Sequence, residues 1–188
     1  MVSDHGFAPV EKQIRVNVLL RELGLVIADR SGEIKDRKAW AHSSGGAAGV
    51  YVFDREDRAE TIADLKPRLA EIEGVDRVLD AAEFMQLGLP DPETNVQQAD
   101  LMLSAEPGYS FSNSADGELT VALDSRRGAH GHRPDQRFMQ ATFIAAGADI
   151  QTTELGQISN LDVSPTIAAI LGVDLPEAEG RVLTEILK

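Results

Sequence analysis

Apolar residues recur at Val16, Leu19, Leu20 and Leu23, the i, i+3, i+4, i+7 spacing of one helix face, with Arg15, Arg21 and Glu22 on the others. The pattern predicts an amphipathic helix from Lys12 to Leu23, stopped by Gly24. Leu25 to Ala28 then reads as a short strand and Asp29 to Lys38 as a polar hairpin or loop. Trp40 to Gly49 reads as a flexible glycine-rich stretch leading into the β-prone run Val50 to Phe53. Ile62, Leu65, Leu69 and Ile72 mark a helix within Arg58 to Ile72, which Pro67 is expected to kink or divide. Further strands are expected at Val75 to Leu79, Leu101 to Ala105, Leu119 to Leu123 and Ala141 to Ala145, with a short helix at Ala81 to Leu87. In the tail, Ser164 is placed to cap a helix, Pro165 suits its first turn, Ile167, Ile170 and Leu171 form its buried stripe, and Gly172 ends it. A second short helix is expected at Val182 to Leu187.

Alternation of strands and helices over the whole chain predicts an α/β sandwich. Strand, helix, strand within residues 35–90 forms a compact unit of its own, read as an insertion or lid on a core made of residues 1–34 and 91–188. Pro90, Pro92 and the polar run Glu93 to Gln98 mark its exit.

The chain is long enough, at 188 residues, to bury a real core, and its 43% hydrophobic content suits a water-soluble fold. No apolar run approaches the roughly 20 residues that span a bilayer. A net charge of -13 would repel a phosphate backbone, so a nucleic acid polymer is not an expected partner. The absence of cysteine excludes disulfides and thiolate metal sites.

Any imidazole chemistry must use four histidines, at 5, 42, 130 and 132. Asp4 and His5 are adjacent and followed by Gly6, which lets the backbone turn tightly and brings both side chains near one centre. His130 lies in GAHGHRP, between Gly128 and Gly131, where small neighbours leave space around its ring. Carboxylate oxygen and neutral imidazole nitrogen suit zinc or manganese, although an Asp-His pair alone also describes a surface turn. His42, beside Trp40 and the SSGG run, is a candidate for substrate contact from a lid; an exposed loop histidine is the simpler reading. Tyr109 and Phe111 read either as base-stacking residues or as one face of a strand. Arg126, Arg127 and Arg133 read either as phosphate contacts or as solvated surface.

Taken in order, SDHGF, the glycine-flanked AHG, FIAAG and LDVSPTIAAILGVDLPEAEGRVL resemble the carboxy-terminal part of the alkaline phosphatase superfamily, most closely its type I phosphodiesterase and nucleotide pyrophosphatase branch. The resemblance lies in the ends and later half of the chain, with no specific match over about residues 30–95. It implies two divalent metal ions, zinc by preference, with Asp4 and His5 as ligands of one and His130 of the other. The tail motif containing Asp162, Pro165 and Thr166 is then structural.

The resemblance also implies a metal-dependent phosphoric ester hydrolase acting on a small phosphoester such as a nucleotide. Its hydroxyl nucleophile and remaining ligands are expected upstream of residue 1, which makes this chain a fragment beginning near the end of a core strand. An uncovered sheet edge there would favour self-association, or completion of the site by a complementing chain. The compartment stays open: cytoplasmic if the start is native, otherwise set by a signal peptide upstream. The alternative from another class is a non-catalytic binding or structural domain that retains part of the metal site.

Overall fold

The computed structural model describes residues Met1–Lys188. Two compact units are present, one of Gly6–Gln140 and one of Met1–His5 with Ala141–Lys188.

The larger unit starts with a strand where the helical pattern was extended too far: β1 covers Ala8–Ile14 and helix α1 covers Val16–Glu22. Ala8, Val10 and Ile14 point into the protein, the period-2 signature of a strand, and Val16, Val18 and Leu20 are buried on α1. Next come β2 (Val26–Ala28) and β3 (Ile34–Arg37), an antiparallel hairpin in the segment read as polar. The glycine-rich stretch is not a flexible loop. It is a second hairpin, β4 (Ala39–Ser44) and β5 (Ala47–Val52), turning at Gly45 and Gly46.

Helix α2 (Arg58–Ala70) leads to β6 (Val75–Leu79), α3 (Ala81–Gln86) and β7 (Leu101–Ala105). Strands β4, β5, β7 and β6 form one sheet in that order, and β5 and β6 run alike on either side of β7, joined through α2. Pro67 does not divide α2. It sits on the exposed side, where solvent can satisfy the carbonyl one turn back, while Leu65 and Leu69 bury the opposite side. Strands β8 (Gly108–Phe111) and β9 (Thr120–Ala129) flank β1, the first parallel and the second antiparallel. One core runs through this unit, from Ile14, Val16 and Leu20 through Val50, Leu65 and Leu69 to Leu101, Leu103 and Phe111.

The outer edge of β4 leaves no row of bare amides. Ala39 N–H donates to the Leu25 carbonyl, Ala41 N–H to Asn17 Oδ1 and Ser43 N–H to Asn113 Oδ1, while Asn17 Nδ2 returns a bond to the Ala41 carbonyl. Asparagine side chains thus stand where a further strand would pair.

At the start of α3, Asp80 accepts from the amides of Ala82 and Glu83, Glu83 accepts from Asp80 N–H, and Lys66 Nζ donates to both carboxylates at 2.6 and 2.9 Å. The Lys66 ammonium holds the Asp80 carboxyl below the usual carboxylate range. Its contribution is therefore complete above the unfolded carboxylate pKa of about 4 and lost as pH falls through the lowered folded value. Asp80→Ala should cost about 1 kcal/mol at pH 7. Chemical denaturation of the two proteins at pH 7 and pH 3 should show that difference shrinking on acidification.

The smaller unit contains α4 (Val163–Leu171), ended by Gly172. Ser164 does not cap it. Ser159 caps the preceding 3-10 turn, Asn160–Asp162, by accepting from Leu161 N–H. The expected stripe is not buried either: Ile167, Ile170 and Leu171 are exposed, while Pro165 and Thr166 in the first turn are covered. That turn holds the Arg181–Leu183 segment. Thr166 Oγ1 donates to the Asp162 carbonyl at 2.6 Å and accepts from Leu183 N–H at 2.9 Å, while the Asp162 carboxylate accepts from Ser159 and Arg181 amides. The tail's spaced Asp, Thr and Arg-Val-Leu therefore form one hydrogen-bonded knot.

Thr166→Val keeps the shape and strands the Leu183 amide, so about 2 kcal/mol of local stability should be lost. Faster amide exchange at Leu183 would report it. The expected second helix is a single 3-10 turn, Thr184–Ile186, and Ala141 to Ala145 contributes one isolated bridge, Phe143 to Val2, rather than a strand. No helix is long and apolar enough to cross a membrane.

Candidate metal centre

Asp4 and His5 follow a short segment tied into the smaller unit. Ser3 N–H donates to the Thr142 carbonyl, Ile144 N–H to the Met1 carbonyl, and Asn160 Nδ2 to the Asp4 carbonyl. Met1–Ser3 makes one bridge in place of the expected strand end. The Asp4 carboxylate accepts from His5 N–H through Oδ1 at 3.0 Å, and its Oδ2 stands 3.3 Å from His5 Nε2. Both side chains are exposed, Asp4 at 84% and His5 at 40%.

Gly6 begins the larger unit. Its N–H donates to the Met139 carbonyl, and a Cβ there would overlap Phe138 O and the Met139 backbone. Glycine is therefore needed after His5 for a close backbone approach, a different cause from the tight turn expected there.

The 3.3 Å separation tests whether the pair suits a metal. Two donors at about 2.0–2.1 Å from a tetrahedral ion lie about 3.3–3.4 Å apart. The separation and the oxygen and nitrogen donor types fit. The number falls short, because no group of three or more His, Asp or Glu side chains is gathered to hold an ion.

His130 follows the end of β9 in the larger unit, with an exposed side chain. His42 is on β4 opposite Gly49, also exposed, between buried Ala41 and half-buried Ser43. It belongs to a sheet strand and not to a loop. Phe111 is buried in the core, and the Tyr109 hydroxyl donates to Glu73 at 2.8 Å with Lys12 Nζ 5.3 Å from its ring, so both aromatics serve the strand. Arg126 pairs with Glu11 and Arg133 with Asp76 and Asp135. Those two guanidiniums are occupied by carboxylates.

His132 is a buried structural residue. It is 4% exposed, its Nε2 lies 3.0 Å from the Tyr109 carbonyl, its ring meets Phe138 edge-on at 5.5 Å, and its buried Nδ1 has no hydrogen-bond partner. A carbonyl only accepts, so Nε2 carries the proton. Sequence offered one signal, the alternation of glycine and histidine in GAHGHRP.

The family model for type I phosphodiesterase/nucleotide pyrophosphatase matches residues 1–133, and so includes Asp4, His5 and His130. The chain belongs to this family. Among solved structures, human ectonucleotide pyrophosphatase/phosphodiesterase 5 is similar over 100% of this chain and 44% of its own, with a TM-score of 0.67 and 14% identity, which shows a shared fold. Phosphonoacetate hydrolase from Sinorhizobium meliloti 1021, solved with phosphonoacetate, matches 74% of this chain and 33% of its own, at 24% identity and a TM-score of 0.49. This family member thus spans less than half the length of either protein. No curated protein matches it. The α/β architecture and the superfamily resemblance both hold; the matched segment takes in DHG and AHG and also residues 30–95, where the sequence offered no specific match, and it ends before the tail.

Proposed function

We propose that the protein forms part of a divalent-metal-dependent phosphoric ester hydrolase of the phosphodiesterase/nucleotide pyrophosphatase type. The observation that carries this reading is the Asp4 and His5 donor pair at 3.3 Å, exposed and within the segment that the family model matches. Asp4 and His5 hold one ion and His130 the other. When bound, such ions would supply Lewis acidity to a phosphoryl oxygen.

The carboxylate of Asp4 contributes negative charge, and His5 and His130 contribute neutral imidazole nitrogens. All three are ligands rather than proton carriers, so acidification weakens their grip. Mixed oxygen and nitrogen donors favour zinc, with manganese as the runner-up. The substrate is a small phosphoester, with nucleotides the leading class. With two gathered donors, the remaining ligands and the hydroxyl nucleophile come from chain outside these 188 residues or from a complementing subunit.

The test is metal content and bis-p-nitrophenyl phosphate hydrolysis, comparing the 188 residues with the longest reading frame that contains them. Two bound metals and turnover in the longer protein are the expected result. No metal and no turnover in either would favour the non-catalytic alternative and overturn the proposal.

A further inference from the structure

Between β4 and β5, the hairpin tip and the segment after β9 approach at backbone contact. Gly46 N–H donates to the His130 carbonyl at 2.6 Å, and a Cβ at Gly131 would overlap the Ser44 carbonyl. On the other side of the same segment, the His132 ring covers Gly46, where a Cβ would overlap the ring itself. The tip is fixed in turn: Phe111 N–H donates to the Gly45 carbonyl at 2.7 Å, and Ala105 N–H donates to the Gly46 carbonyl at 2.8 Å.

We propose that Gly46 and His132 are positioning residues for His130, clamping its backbone between the hairpin tip and β8. The proposal rests on the reading of His130 as a metal ligand. Its physical basis is that a ligand on an exposed segment loses affinity if its backbone wanders by an ångström. Here the carbonyl of His130 is held from one side, and His132, two residues on, is held from the other through its bond to Tyr109. Burying an imidazole with an unpartnered Nδ1 costs stability, and close seating over a glycine is what that cost accompanies. The SSGG run is then a rigid seat and not a lid.

The test is zinc titration of the longest-reading-frame protein, following the ring resonances of His130 and His5 by NMR. His132→Phe keeps an aromatic ring, a somewhat larger one, and removes the donor to Tyr109; His132→Gln restores a donor near the Nε2 position. The proposal expects His130 in H132F to require roughly tenfold or more zinc, with His5 unchanged and H132Q close to the parent. An unchanged His130 response in H132F would overturn the inference while leaving the metal reading intact. Equal weakening at His5 and His130 would also overturn it, since that is the signature of general destabilisation. Silence of His130 in the unsubstituted protein would overturn the metal reading and this inference with it. Should H132F fail to fold, Gly46→Ala decides: Gly46 has no positive φ and the three atoms nearest an added Cβ all belong to the His132 ring, so a weakened zinc response at His130 alone is expected and an unchanged one would overturn the inference.

Discussion

Alanine at Asp4, His5 or His130 should lower bis-p-nitrophenyl phosphate hydrolysis by the longest-reading-frame protein at least about 100-fold, while His42→Ala should leave it within about twofold. The magnitude follows from the role assigned to each. A bound ion contributes several kcal/mol of transition-state charge stabilisation, and a tenfold rate change is about 1.4 kcal/mol, so losing about 3 kcal/mol of that contribution with the ion gives roughly a hundredfold or more. On the proposed assignment, Asp4 and His5 supply the two neighbouring donors of one ion, so either change would leave a single ligand there. His42 occupies an exposed position on a sheet strand. Metal content must fall together with rate in the three ligand variants. Equal activity and equal metal in all four would sink the assignment of these residues.

The closeness of Asp4 and His5 was legible because they are neighbours in sequence, and the following glycine has a local backbone cause. The burial of His132 was not legible, since what it packs on, Gly46 and the Tyr109 carbonyl, is distant in sequence and leaves no side-chain signal. The larger errors have equally physical origins. Alternation in β1 runs Ala8, Val10, Ile14 and breaks at Lys12, beside the register shift between Val10 and Lys12 that the strand carries against both neighbours. The helical spacing of Val16, Leu19, Leu20 and Leu23 then looked longer than it is. Glycine density hid β4 and β5, although Ala39, Ala41, Ala48 and Val50 alternate inward there as strand residues do. In the tail, hydrophobicity suggested that Ile167, Ile170 and Leu171 were the packed face, whereas the contacts that fix α4 are polar ones made by Asp162 and Thr166.

Asn17→Leu should destabilise the larger unit by about 4 kcal/mol, far more than a typical surface substitution. Leucine keeps the branched outline and heavy-atom count of asparagine with bulkier methyl ends, so the loss combines the missing hydrogen bonds with a smaller cost of overpacking. Asn17 is fully buried; its Oδ1 accepts from Ala41 N–H at 2.8 Å and its Nδ2 donates to the carbonyls of Ala41 and Asn113 at 2.9 and 3.2 Å. Removing the amide leaves the Ala41 amide and carbonyl unpaired where water does not reach, each costing about 1–3 kcal/mol. Asn113→Ala is the control: its bond to Ser43 N–H is exposed, so water replaces it and less than about 1 kcal/mol should be lost. Trp40, the only tryptophan, precedes Ala41 on β4 with the Arg37 guanidinium 4.3 Å from its ring, so its fluorescence in urea reads the affected edge directly. A loss in Asn17→Leu no larger than in Asn113→Ala would mean that the edge of β4 is paired by some other group and that the asparagine is merely accommodated there.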